Sequence, residues 1–465
     1  MVRWLVVAAL LTGSVAADEF DYFAANRQLI GDGVNAVIAC NGLFTSNRPL
    51  SAVNAEELKY QRGPGRTRGE RSALGVDRES QRVRVGSVTA VFREGIGCVV
   101  MAPNQTAADV DALPTNPQPG PTFATADTPW PLGDVLPTAL PDSGIDQASL
   151  VAASDWAFER PTPEQKTISL IVLHRGHIVH ERYAPGFDMT TRTRTWSTAK
   201  SIAAVLIGML VDDAKLALDA SLPIDWLPEI DNADSDPRTA ITLRDVLQMS
   251  SGLEPVDSFN REYATGSGLA YWAGASSAIG ARSRGLIREP GSHWDYENYD
   301  TLLAVYAMKQ VLGEDYLDFP YRDLLHPLGM YSTLLSTDRF GDFILSSQVY
   351  TNARDLARFG QFLLQDGMWQ GERIVSSAWL DFVRQPAPST AERGNFYGAQ
   401  FWLVPDDRGD VPKDAYATAG NRGQYVIIVP SHDVVIVRRG LDYGKQGFNR
   451  WDLTREVLKA IPQND

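Results

Sequence analysis

The chain lacks a basic surplus. Its 465 residues carry 43 Lys and Arg against 57 Asp and Glu, a formal net charge of −14. That disfavours nucleic acid as a partner, because binding phosphates requires a basic surface. Long apolar runs are missing as well. No stretch after the first residues reaches about 18 uninterrupted apolar positions, so no membrane span is expected. Cysteine is scarce, with Cys40 and Cys98 alone, and neither follows the N-terminal leader directly, which argues against a lipid anchor there. Histidine is scarce too, at six. His174, His177 and His180 crowd one hairpin, but a zinc site needs three or four converging ligands. His174 and His177 flank a turn, and His180 lies an odd step away on the opposite face. No metal or other cofactor is expected.

What is present bounds the class. Apolar residues make up 44%, close to the globular average, and the chain is too long for one ordinary domain. Arg3, the apolar run from Trp4 to Leu11, and Ser14-Val15-Ala16-Ala17 before Asp18 follow the order of a secretory signal. Residues 1–17 are therefore expected to be removed on export to the periplasm or beyond. In such an oxidising compartment Cys40 and Cys98 are expected to pair, two buried free thiols being the alternative.

Composition divides the rest. Residues 18–102 form a small N-terminal domain, with strands expected at 36–40 and 83–92 and a polar excursion over 61–80. Nine of the 27 prolines fall between Pro103 and Pro141, so 103–142 is expected to be an extended linker. Residues 143–465 read as one catalytic domain of α/β character, α+β in type: an antiparallel sheet flanked by helices, with an inserted helical region. A helix is expected over 145–158. Strands are expected at 168–174 and 177–183, joined by Arg175-Gly176. A buried helix starts near Ser197, with Ile202, Val205, Leu206, Met209 and Leu210 at helical spacing. Strands at 424–429 and 434–438 and a final helix over 448–461 complete the pattern.

Three short stretches carry chemistry. In Trp196-Ser197-Thr198-Ala199-Lys200, Ser197 and Lys200 stand one turn apart at a helix start, about 5–6 Å from each other. A serine hydroxyl is a poor nucleophile until a neighbour takes its proton. A lysine can do so where burial disfavours its ammonium form. The helix N-terminus adds N–H groups where an oxyanion would form. In Tyr296-Glu297-Asn298, the tyrosine can relay a proton beside an ammonium, and the asparagine offers a donor and an acceptor to a substrate amide. In Thr418-Ala419-Gly420-Asn421-Arg422-Gly423-Gln424, glycines let a strand edge approach a ligand closely. Each stretch alone also fits ordinary packing or a turn.

Together and in this order, these stretches resemble the serine β-lactamase and penicillin-binding protein superfamily, nearest its class C-like branch. Three further stretches resemble family segments: Thr242 to Leu253, His326-Pro327-Leu328-Gly329-Met330, and Tyr397-Gly398-Ala399-Gln400-Phe401-Trp402. The resemblance covers about residues 145–462. It implies that Ser197 is acylated, that Lys200 and Tyr296 share the base task, and that Asn298 touches the substrate. It also implies that Ser197 and Asn421 supply the oxyanion N–H groups beside Gly420. The family's usual lysine is here Thr418, which argues against efficient penicillin hydrolysis. The form of the third stretch resembles the 6-aminohexanoate-dimer hydrolase and esterase relatives. In those relatives a loop tyrosine assists the amine leaving group, and Tyr263 is the candidate by position.

The expected function is an exported serine hydrolase of a small amide or ester. A D,D-peptidase, a β-lactamase, or a binding protein that has lost turnover are the alternatives. The intact Ser197, Lys200 and Tyr296 argue against the last.

Overall fold

A computed structural model describes residues 23–60, 72–138, 144–229, 235–256, 265–444 and 446–462. The expected signal, residues 1–17, lies outside the described residues, and so does Tyr263. Helix α1 (Ala24–Cys40) opens the described chain. Residues 36–40, expected as a strand, are its last turn. From Ile30 to Cys40 every side chain but Asn35 is buried. A five-residue window there shows no helical stripe, so its β-branched content misled. Gly33 makes the helix's closest contact: a Cβ there would stand 1.6 Å from the Trp272 carbonyl oxygen.

The 83–92 run is a hairpin rather than one strand. β1 (Leu74–Asp77), β2 (Arg82–Val85), β3 (Val88–Arg93) and β4 (Gly97–Met101) pair antiparallel in that order. Gly86, at φ +57°, supplies the left-handed turn between β2 and β3. β1 falls inside the stretch expected to be irregular. A disulfide joins Cys40 of α1 to Cys98 of β4, with Cα atoms 6.0 Å apart. The proline-rich segment is not wholly extended. Thr106 and Asp109 form a capping box that starts a short helix, Ala107–Asp111. Beyond it, Arg358 donates to the carbonyls of Pro131 and Gly133, and Trp130 Nε1 to that of Gly176.

The remainder is the expected sheet between helices. Helix α2 (Gln147–Phe158) precedes the hairpin of β5 (Thr167–His174) and β6 (His177–Tyr183). Short β7 (Thr193–Arg194) leads to the central helix α3 (Thr198–Asp212). The inserted region carries α4 (Ser267–Ala273) and α5 (Asn298–Leu312). β8 (Leu334–Leu335) and β9 (Val349–Thr351) join β7 in a small sheet, and α6 (Ala353–Leu364) follows. β10 (Trp402–Leu403), β11 (Tyr416–Gly420), β12 (Gln424–Val429) and β13 (Val434–Gly440) complete the main sheet. The final helix, α7, is Arg450–Leu458, two residues shorter at its start than expected because Asn449 caps it.

The main sheet is antiparallel throughout, in the order β10-β11-β12-β13-β5-β6. Alternation along its strands serves two layers. Leu170, Val172, Ile427 and Ile436 pack with Leu150 of α2 and Val457 of α7. Ile171, Leu173, Val426 and Val435 pack with α3 and α6. Because β10 has two residues, the outer edge of β11 is left uncovered from Thr418 onward. Among the described residues, no helix is long and apolar enough to cross a membrane.

Candidate active site

The backbone turns sharply before α3. Trp196 has φ +51°, a left-handed value that costs a bulky residue of order 1–3 kcal/mol. Packing holds it there. The Arg194 guanidinium lies 4.0 Å from the Trp196 ring centroid and 4.4 Å from that of Trp272. It also donates to the Ser347 carbonyl and hydroxyl at 3.0 and 2.7 Å. The turn delivers Ser197, half-buried, as the N-cap of α3, and its side chain makes no capping hydrogen bond.

Lys200 follows one turn on and is 1% exposed. Its Nζ donates to Asn298 Oδ1 at 2.6 Å and to the Ser346 carbonyl at 2.7 Å. It lies 5.1 Å from the centroid of the Tyr296 ring. The Ser346 hydroxyl is hydrogen-bonded to Tyr271 of α4. Asn298 begins α5 and donates to Ser267 Oγ at 3.2 Å. Buried Glu297 caps α5 by accepting from the Tyr299 N–H, and it also accepts from the Val256 N–H at 2.8 Å.

The Tyr296 ring is set among Trp294, Tyr397 and Trp402, at centroid distances of 6.1, 6.3 and 5.6 Å. Burial, and then neighbouring Tyr296, push the Tyr397 phenol well above its ordinary range, so it stays protonated. Gln400 ties three of the site's supports. Its carbonyl accepts from Ser201 Oγ of α3, its Oε1 accepts from Thr301 of α5, and its Nε2 donates to the Leu247 carbonyl. Two of the three supporting stretches read in the sequence thus meet at one side chain. The third, around Leu328 and Met330, is buried in the core.

β11 brings the last stretch against the serine. A Cβ on Gly420 would stand 2.1 Å from the Thr195 carbonyl oxygen and 3.2 Å from the Ser197 nitrogen. Only glycine allows this approach. Two residues back on the same face, Thr418 is fully buried, and its hydroxyl is 3.1 Å from that of Thr198. Thr418 therefore presents no charge to the cleft. Asn421 is exposed in the turn after β11, and its Oδ1 accepts from the Arg422 N–H. Beyond Gly420 and Asn421 a cavity of about 210 Å³ opens toward Tyr443 and Phe448.

Lys200, Tyr296 and Asn298 are thus in contact, and Ser197 and Gly420 are in contact one helical turn away. Sequence reasoning missed Ser346, Ser267 and Tyr271. Lys200's second partner is a main-chain carbonyl, which any residue supplies, so no residue type signals it. Ser267 stands at a helix start after Gly266, which marks a helix boundary and nothing about its partner.

Comparison with known proteins bears on family and fold. The family described as Beta-lactamase matches residues 157–439. A 6-aminohexanoate-dimer hydrolase of Paenarthrobacter ureafaciens is 24% identical over 338 residues, 66% of this chain and 83% of that protein. A family VIII carboxylesterase superposes with a TM-score of 0.50 at 15% identity, covering 68% of this chain and 98% of its own. A D-stereospecific amidohydrolase from Streptomyces sp. superposes with a TM-score of 0.50 at 16% identity, with the same coverage. These two structures share the fold.

Proposed function

The chain belongs to the beta-lactamase family, and on that premise we propose that it is an exported serine hydrolase cleaving linear amides or esters through an acyl-enzyme on Ser197. One observation carries the reading. A fully buried lysine, one turn after a half-buried serine, is held by Asn298 and Ser346 beneath the Tyr296 ring. Desolvation disfavours the ammonium form of a lysine, and a neutral amine one turn from a serine can take the hydroxyl proton.

In this reading Ser197 Oγ attacks the substrate carbonyl as its proton passes to Lys200 and Tyr296. The N–H groups of Ser197 and Asn421 hold the oxyanion. Tyr296 returns the proton to the leaving amine or alcohol, whose bond to the acyl carbon breaks. Water then attacks the acyl-Ser197 ester by the same route in reverse, releasing the acid and the free serine. Asn298 orients the substrate amide. Tyr263 is proposed, from the resemblance alone, to assist an amine leaving group. Export rests on the leader at residues 1–17.

Buried, uncharged Thr418 supports linear substrates over lactams. Turnover of p-nitrophenyl esters, N-acyl anilides and a chromogenic cephalosporin by the purified protein tests this. Ester or linear amide turnover should exceed cephalosporin turnover. Efficient cephalosporin hydrolysis with no esterase activity would overturn it.

A further inference from the structure

The segment ahead of the hydrolase reaches the site at two places. The first is helix α4, against which α1 packs at Gly33, beside the Trp272 carbonyl. α4 in turn touches three parts of the site. Ser267 Oγ accepts from Asn298, Tyr271 is hydrogen-bonded to the Ser346 hydroxyl, and the Trp272 ring centroid lies 6.2 Å from that of Trp196.

The second place is the turn after β11. Arg422 follows Asn421, the proposed second oxyanion donor, and has φ +61°. A long side chain keeps such a left-handed value only where its surroundings hold it. Here the guanidinium is buried and held from two sides. Nε donates to the Asp442 carbonyl at 2.9 Å, and Nη2 donates to the carbonyls of Leu441 and Glu56, each at 3.0 Å. Nη1 faces Glu57 Oε2 at 3.6 Å. Glu56 ends a short helix, Leu50–Glu56, and is ion-paired with Lys166, while Glu57 is ion-paired with buried Arg48. Both glutamates lie outside the matched family region, 157–439. A main-chain N–H stabilises an oxyanion well only when it is already aimed, and it has no side chain of its own to aim it.

We propose that Arg422 is a positioning residue through which the N-terminal segment completes the active site. Glu56 and Glu57 hold the guanidinium, the guanidinium holds the turn, and the turn holds the Asn421 N–H at the oxyanion. The proposal rests on the reading of Ser197 as nucleophile.

Kinetics on a chromogenic ester and affinity for an arylboronic acid test it. The boron takes the Ser197 oxygen as the hydroxyl proton leaves to Lys200, and the tetrahedral anion that forms occupies the oxyanion site. Arg422→Ala should lower kcat about 10²-fold, the scale of a 1 Å misplacement, with KM little changed and boronate affinity reduced in step. Arg422→Lys keeps the charge and loses the fork, so it should recover part of both. Glu57→Gln should act in the same direction by a smaller factor. Added to Arg422→Ala, it should change nothing further, because both act through one contact. Val83→Ala, a core substitution in β2, should lower the unfolding temperature and leave kcat and boronate affinity as they are. Parent values of both in folded Arg422→Ala would overturn the positioning role. A Glu57→Gln variant that moves neither, or whose effect multiplies with that of Arg422→Ala, would overturn the part given to the N-terminal segment. Failure of the parent reading looks different: folded Ser197→Ala would then keep turnover and bind the boronate as the parent does.

Discussion

Ser197 takes its setting from the residue before it. Trp196 accepts an unfavourable φ, and Arg194 and Trp272 hold it there, so the serine is delivered to a helix head facing a glycine. The side chains that meet around Lys200 were legible in the sequence, because Ser-x-x-Lys and Tyr-x-Asn name them. The contact that fixes Lys200 through the Ser346 carbonyl was not, because main-chain groups leave no mark on composition. Gly420→Ala would drive a Cβ into the Thr195 carbonyl and part the strand edge from Ser197. It should cut kcat/KM by about 10²–10³, the scale of a lost oxyanion donor, beyond any loss of folded fraction seen by calorimetry. Lys200→Ala and Tyr296→Phe should each lower kcat by about 10²–10⁴, and the double variant should be little worse than either, because the pair acts as a unit. A strictly additive double variant would argue against a shared task.

At the scale of elements, strands were readable where β-branched runs are bounded by turns, even though β5, β12 and β13 are buried along their whole length. The hairpin of β5 and β6 and the strand pair β12 and β13 followed from β-branched runs around turns. The last turn of α1 did not, because a run of five apolar residues reads equally as strand or helix. Buried arginine is the other feature that periodicity hides. Arg439 of β13 is 1% exposed and spans three elements. It donates to Gln424 Oε1 of β12, to the Thr351 carbonyl of β9 and to the Thr193 carbonyl of β7, each at 2.7 Å. It thereby holds the strand that feeds the Trp196 turn. Arg439→Met removes these bonds and leaves buried acceptors unsatisfied, each at roughly 1–3 kcal/mol. A stability loss of about 3 kcal/mol or more is expected in urea titration. A loss below about 0.5 kcal/mol, the size of a surface substitution, would contradict that role.

At the scale of the whole molecule, the first sheet and the hydrolase share one apolar cluster. Val83, Val88 and Val100 belong to it together with Ile202, Leu206 and Leu303. Composition separated these regions at a proline-rich segment, and nothing in a one-dimensional pattern reports that their apolar faces meet. The Cys40–Cys98 bond, which the scarcity of cysteine and the leader led us to expect, closes a separation of 58 residues inside this cluster. Its reduction should cost roughly 2–4 kcal/mol. Because the cluster is continuous, tryptophan fluorescence and activity should then be lost in one transition at lower denaturant. Two separated transitions would contradict a shared core. The central claim concerns a single atom and is read most directly from the mass of the intact chain. Exposed to a fluorophosphonate or a slowly deacylating ester, the folded protein should gain one adduct, and peptide mapping should place it on Ser197. Folded Ser197→Ala should gain none. An adduct on another residue, or unchanged turnover in the folded Ser197→Ala variant, would contradict the account.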